Sequence, residues 1–164
     1  MIKMDALRKM MEGLGFKNVK SYIQSGNVVF ESKLRSDKDL EKQIAEQIRI
    51  VFGFEVPVLV KGVEELKETV KNNPFVNKRK EDSSKLHITF LSEEAEKTCL
   101  ARIREVKSEP DEFMLSGKSL YLFCPNGYGN TKLNNNFFES KLKVRATTRN
   151  WKTINELINI AEKS

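Results

Sequence analysis

Two polar segments carry the residue types from which a binding site could be made. The first is Pro125-Asn126-Gly127-Tyr128-Gly129-Asn130-Thr131-Lys132-Leu133 and the second is Arg145-Ala146-Thr147-Thr148-Arg149-Asn150-Trp151. Glycines let backbone approach a ligand closely. Amide hydrogens at a helix start, together with a lysine, attract negative charge. If a helix opens on Asn130-Thr131, then Asn126, Gly127, Tyr128, Gly129, Thr131 and Lys132 form a candidate anion site. Arg145 and Arg149 would add forked donors if they converge on it. The spacing is not that of a nucleotide phosphate loop, Gly-x-x-x-x-Gly-Lys-Ser/Thr. A structural reading competes throughout: the glycines give positive φ, Asn130 or Thr131 caps the helix, and Tyr128 packs over it.

Other chemistry is thinly represented. His87 is the one histidine, on Leu86-His87-Ile88-Thr89-Phe90, where alternation points it away from the apolar set. A general base works with a nucleophile or an orienting acid, and no partner is evident from spacing. No His/Cys cluster suggests a metal, and no cofactor-binding motif is present. Glu64-Glu65 and Glu93-Glu94 fall in first helical turns, where carboxylates favour the dipole. Tyr121 and Phe123 share one face of a strand, but no RNA-binding strand signature accompanies them. Ser25-Gly26-Asn27 reads as a tight turn with polar groups at its tip.

The totals fit a soluble α+β protein. Of 164 residues, 39% are hydrophobic and 32% charged, and no apolar run reaches a membrane span. Met1-Ile2-Lys3-Met4-Asp5 lacks the apolar core of a signal peptide. Cys99 and Cys124 are too few for a disulfide scaffold and read as buried, reduced thiols. Together these features lead us to expect a cytoplasmic protein. The net charge of +6 favours anionic partners, whether a small molecule or nucleic acid, though Asn77-Lys78-Arg79-Lys80 supplies much of it on an expected solvated loop.

Periodicity supplies the elements that must position these residues. Leu7, Met10, Met11 and Leu14 form one helical stripe in Asp5 to Leu14, stopped by Gly15. Val19–Ile23 and Val28–Glu31 form a hairpin around Gln24-Ser25-Gly26-Asn27. Ser36-Asp37-Lys38-Asp39 caps a helix carrying Leu40, Ile44, Ile48, Val51 and Phe52. Val56, Val58 and Val60 alternate as a strand, which Pro57 assigns to an edge. A short helix spans Gly62 to Asn73, and residues 75–84 read as a basic linker. Then follow a strand at Leu86–Phe90, a helix at Glu93–Val106, a hairpin at Phe113–Phe123, a helix at Thr131–Leu142, a short strand at Val144–Thr148 and a helix at Trp151–Lys163.

The order repeats. Residues 85–164 follow a split βαβ, ferredoxin-like pattern, and residues 1–61 follow the same pattern without its first strand. Two small α+β units joined through 62–84 are therefore predicted. The first has a gap that a strand from elsewhere in the chain, residues outside this sequence or a homodimer partner would fill.

At this point the chain resembles a known family. Ile2-Lys3-Met4-Asp5-Ala6-Leu7 leading to Leu14-Gly15-Phe16, Tyr22-Ile23-Gln24-Ser25-Gly26-Asn27-Val28-Val29-Phe30, Pro125-Asn126-Gly127-Tyr128-Gly129 with Lys132-Leu133, and Ala146-Thr147-Thr148-Arg149-Asn150-Trp151 match in order and spacing the bacterial proteins called domain of unknown function 1697. The resemblance implies no established activity. Family members open with a hydrophobic strand and an Arg-Gly-Ile-Asn-Val-Gly-Gly-like turn. This sequence starts after it, which leaves open a misplaced gene start, a shortened chain or a natural truncation.

The sequence thus leads us to expect first a binding protein for a small phosphorylated or other anionic ligand, or a nucleic-acid backbone, at the Gly-Tyr-Gly helix entry. A structural or self-associating module ranks second. An enzyme using Lys132, an arginine and Tyr128 as electrostatic stabilisers ranks third.

Overall fold

The computed structural model describes residues 2–23, 26–33 and 36–163. The chain is α+β and divides into two compact units: Met1–Lys67 with Asn155–Ser164, and Glu68–Ile154. The expected division set the units at residues 1–61 and 85–164, joined through 62–84. The boundary cuts the third helix instead of following a linker, and the end of the last helix groups with the first unit.

In the first unit, α1 (Met4–Gly13) leads through Leu14 to Gly15 at φ 94, the left-handed stop expected there. Strands β1 (Lys17–Tyr22) and β2 (Asn27–Glu31) pair antiparallel, and Gly26 takes φ 77 in their connection. Gln24 and Ser25 of the expected turn lie outside the described residues. Helix α2 (Asp37–Phe52) is capped by Ser36, whose Oγ accepts from the Asp39 amide at 3.2 Å, and stops at Gly53, φ 77. Met4, Leu7, Met10, Met11, Phe16, Leu40, Ile44 and Ile48 make one buried cluster, with Val28, Phe30, Val58 and Val60 against it. Burying each large aliphatic of this set contributes about 1.5–3 kcal/mol.

The expected strand over Val56, Val58 and Val60 does not form. Val58 and Val60 reach the core while Val56 stays exposed, but a strand needs a ladder partner. The Val60 amide donates to Glu41 Oε2 instead, at 2.9 Å. The reason is visible in the second unit, where the equivalent last strand pairs with the unit's first strand. The first unit has no counterpart of that strand among the described residues.

Helix α3 (Val63–Lys71) is followed by α4 (Pro74–Asn77), β3 (Leu86–Leu91), α5 (Lys97–Arg104), β4 (Glu112–Ser116), β5 (Ser119–Phe123), α6 (Asn135–Leu142), β6 (Ala146–Asn150) and α7 (Trp151–Glu162). The four strands form one antiparallel sheet ordered β4-β5-β3-β6, the ferredoxin-like arrangement expected for this half. Register places His87 between Leu122 and Asn150, Thr89 between Leu120 and Thr148, and Leu91 beside Ala146. These residues share a face because strand side chains alternate. Leu91, Leu120 and Leu122 of that face pack with Cys99, Ile103, Leu133, Phe138 and Leu142.

The basic stretch 75–84 is not a linker. Asn73 Oδ1 accepts from the Phe75 amide at 3.0 Å, starting α4 and burying Phe75 against Phe123, ring centroids 6.0 Å apart. Arg79 lies over both rings at 5.5 Å and donates in a fork to Glu112. Asn77-Lys78-Arg79-Lys80 is exposed, as its composition leads one to expect, with Arg79 held at its place by the aromatic rings and the carboxylate. Helix α5 is also shorter than expected, because residues 93–96 form no helical turn.

Candidate functional site

The Cys124 amide donates to the Lys85 carbonyl at 2.9 Å and holds the exit of β5 beside the entry of β3. From there the chain turns through Gly127, whose amide returns to the Cys124 carbonyl at 2.9 Å. Gly127 has φ 89 and ψ 152, a conformation essentially confined to glycine. A 3-10 turn over Tyr128–Asn130 follows. Gly129, by contrast, does not have positive φ.

The helix entry differs from expectation. α6 starts at Asn135, capped by Asn134 Oδ1 accepting from the Phe137 amide at 2.9 Å. Thr131 is buried, its Oγ1 donating to Asp111 Oδ2 at 2.6 Å and accepting from the Leu133 amide at 3.1 Å. A hydroxyl that bridges a carboxylate and a backbone amide ties the loop down ahead of the helix. Thr131 therefore anchors the loop from inside. Asn130 Nδ2 donates to the Asn126 carbonyl at 3.0 Å and closes the turn on itself.

The tip stays open. Asn126, Gly129, Asn130 and Lys132 are exposed. The amides of Tyr128 and Gly129, at the start of the 3-10 turn, have no hydrogen-bond partner among the described residues. Lys132 Nζ donates to the Lys107 carbonyl, and the backbone of Lys85 and Lys107 lies beside the loop. Asp111, the nearby carboxylate, is turned inward to Thr131.

Beneath the tip lies the one histidine. The Tyr128 ring stacks on His87 with centroids 4.8 Å apart and planes 24° from parallel. Burial pushes the His87 pKa down, opposed in part by the Lys85 backbone, and Nδ1 finds no hydrogen-bond partner. The imidazole is thus neutral near pH 7. Behind it, Thr89 donates to Thr148 Oγ1 at 2.7 Å, and Thr148 donates to Asn135 Oδ1 at 2.6 Å. Because Thr148 spends its only proton on Asn135, Thr89 must be the donor in the first bond.

The two arginines do not join this group. Arg145 stands at the other end of β6, its amide donating to Ser92 Oγ at 3.1 Å beyond the end of β3. Arg149 lies opposite Ile88, on the sheet face away from His87. It is half-buried, donates to the Thr148 carbonyl at 2.9 Å, and is pushed by burial below the usual guanidinium pKa. Asn150 caps α7, accepting from the Thr153 amide at 2.8 Å.

Reasoning from sequence missed the His87–Tyr128 pair, since 41 positions separate the two and nothing local links them. It also missed Asp111 and Asn135, whose polarity alone gave no hint of their partners. No activated nucleophile accompanies the pair: Cys124 is buried with its thiol pushed up by desolvation, and Tyr121 Oη donates to the Thr69 carbonyl at 2.8 Å. The described residues contain no cluster of His, Cys, Asp or Glu arranged to hold a metal, and no helix among them is long and apolar enough to cross a membrane.

The family model described as Protein of unknown function (DUF1697) matches residues 1–121, a span that ends just before the loop. No curated protein matches the chain. Among solved structures, the conserved bacterial protein SP0830 from Streptococcus pneumoniae is similar, with a TM-score of 0.71 and 20% identity. The similarity covers 98% of this chain and 89% of that one, and at this identity it establishes the fold.

Proposed function

The chain belongs to the DUF1697 family of unknown function, and we propose that it is a binding protein for a small phosphorylated ligand, held by the exposed tip of the loop over His87. The reading rests on one observation: the adjacent Tyr128 and Gly129 amides are unpartnered within the described residues, in a turn that leads into the exposed Lys132. Two neighbouring amides and an ammonium suit a phosphate oxygen pair, as in backbone nests.

Asn126, Gly127, Tyr128, Gly129 and Lys132 would form the site, with His87 as its floor. Thr131 supports from within through Asp111. Arg145 and Arg149, expected from sequence to complete it, take no part in this reading.

The alternative, a purely structural loop, draws on the Asn130–Asn126 and Thr131–Asp111 bonds. Thermal shift with inorganic phosphate, a sugar phosphate and a short oligonucleotide separates the two. A shift abolished by Lys132→Ala at unchanged fold supports binding, and no shift with any phosphate supports the structural loop. The oligonucleotide arm distinguishes a nucleic-acid backbone from a free metabolite.

A further inference from the structure

The sheet of the second unit has all four strands of its pattern, so both of its edges belong to the fold itself. The phase of the ladder bonds tells which backbone groups each edge turns outward. At β6, the Ser92 amide donates to the Arg145 carbonyl at 2.9 Å, and alternation from that bonded pair turns Ala146 and Thr148 outward. Charged side chains engage both: Glu139 Oε2 accepts from the Ala146 amide at 3.0 Å, and the Arg149 guanidinium donates to the Thr148 carbonyl at 2.9 Å. Covering an edge in this way discourages pairing with another strand.

The β4 edge is left open. On the β3 side of β5, the Leu91 amide donates to the Lys118 carbonyl at 2.8 Å and the Cys124 amide to the Lys85 carbonyl at 2.9 Å. Leu120 and Leu122 therefore bond toward β3, and Ser119, Tyr121 and Phe123 toward β4. Their partners Ser116, Met114 and Glu112 bond inward, which turns the amides and carbonyls of Phe113 and Leu115 out to the edge. Nothing among the described residues meets these groups. β4 has no lysine or proline, and its one charge, Glu112, is taken by Arg79. Met114, 46% exposed, is the one large hydrophobic residue exposed in this unit among those described.

We propose that β4 pairs antiparallel with β4 of a second copy of this chain, about a two-fold axis at Met114. The outward groups fit that register. Phe113 of each copy lies opposite Leu115 of the other, and both present an amide and a carbonyl, so each such pair exchanges two ladder bonds. Met114 meets its own copy at a non-bonded position, where side chains approach most closely. Glu112 meets Ser116, so no like charges lie opposite each other. Phe113 and Leu115 already pack against the core of their own unit, and the pairing continues that apolar face into the second copy. The result is one antiparallel sheet running through both chains, in the isologous geometry of most homodimers.

Sedimentation and light scattering on the full chain test this, across a concentration series up to the limit of solubility. The wild-type chain is expected to reach twice the mass of one chain. Met114→Lys and Met114→Glu each set like charges against each other across the axis and should stay at the mass of one chain, with unchanged circular dichroism. An equimolar mixture of the two should regain the dimer through Lys–Glu pairs. Hydrogen exchange gives an independent readout: the Phe113 and Leu115 amides should gain protection as concentration rises, whereas the Met114 amide, bonded to β5, is protected throughout. A wild-type chain that stays monomeric at every concentration overturns the proposal. So does a dimer that survives both substitutions, or one that leaves the Phe113 and Leu115 amides exchanging freely. Should both variants unfold, the exchange pattern of the wild-type chain decides alone: protection at Phe113 and Leu115 that rises with concentration supports the pairing, and protection independent of concentration overturns it.

Discussion

The imidazole of His87 and the phenol ring of Tyr128 stack with their centroids 4.8 Å apart. This contact joins two features that the sequence presents separately, a lone histidine on a strand and a glycine-bounded tyrosine 41 positions later. It gives the loop a floor. It also couples the loop's conformation to the solvation of a titratable group.

That coupling has a sign. Burial holds the folded-state pKa of His87 below its unfolded value. Between the two values the unfolded chain binds more protons, so stability rises with pH through this window. It is lost as pH falls below the ordinary histidine range near about 6.5. Urea midpoints at about pH 7.5 and about pH 5.5 should differ more for the wild-type chain than for His87→Gln. In Tyr128→Ala the His87 titration should move up toward its ordinary value, with a stability loss of about 1–3 kcal/mol, whereas Tyr128→Phe keeps the ring and leaves the titration in place. Proton NMR of the imidazole reads the titration, and an unchanged pKa in Tyr128→Ala would dissociate the ring from the site.

The two glycines of the loop should respond differently. Gly127 is held at φ 89 and ψ 152, whereas Gly129 does not have positive φ. Nothing lies within 4 Å of a Cβ built at either, so sterics with neighbours do not decide. Gly127→Ala should cost about 1–3 kcal/mol through backbone strain alone, and Gly129→Ala should be close to neutral. Thermal denaturation of the two variants makes the comparison.

Thr131 is expected to matter for stability more than for ligand contact. Thr131→Val removes the donor to the Asp111 carboxylate and the acceptor for the Leu133 amide, leaving a buried charge short of a partner. A loss of about 2 kcal/mol is expected, larger than that of an ordinary surface substitution. Any phosphate-induced shift should survive in the fraction that remains folded. Equal stability with lost ligand response would instead assign the hydroxyl to the site.

Much of the fold was legible because it follows from local rules. The apolar stripe of α1, the Ser36 cap, the stops at Gly15 and Gly53 and the strand order of the second unit all rest on spacing and glycine chemistry. What failed depended on partners. Val56, Val58 and Val60 alternate as a strand should, but a ladder needs a neighbour that the described residues do not provide. Asn77-Lys78-Arg79-Lys80 is exposed as its composition suggests, but the convergence of Phe75, Phe123 and Glu112 on Arg79 was not legible in it.

The candidate site was legible in the same uneven way. The loop could be found from its glycines and lysine. That Thr131 would turn inward, and that α6 would start at Asn134-Asn135, could not, because Asp111 is twenty positions away. Arg145 and Arg149 looked like one cluster in sequence. Five-residue β6 separates them along its length, and strand alternation puts Arg149 on the face away from His87.

The most direct test is a titration of isotope-labelled protein with inorganic phosphate and a sugar phosphate, followed at backbone amides. Saturable shifts centred on Tyr128 and Gly129 are expected, with a matching change at the His87 ring. They should weaken at least several-fold in Lys132→Ala and persist in Arg145→Ala. Amides that do not move, or shifts centred on Arg145 at the far end of β6, would contradict a phosphate site at this loop.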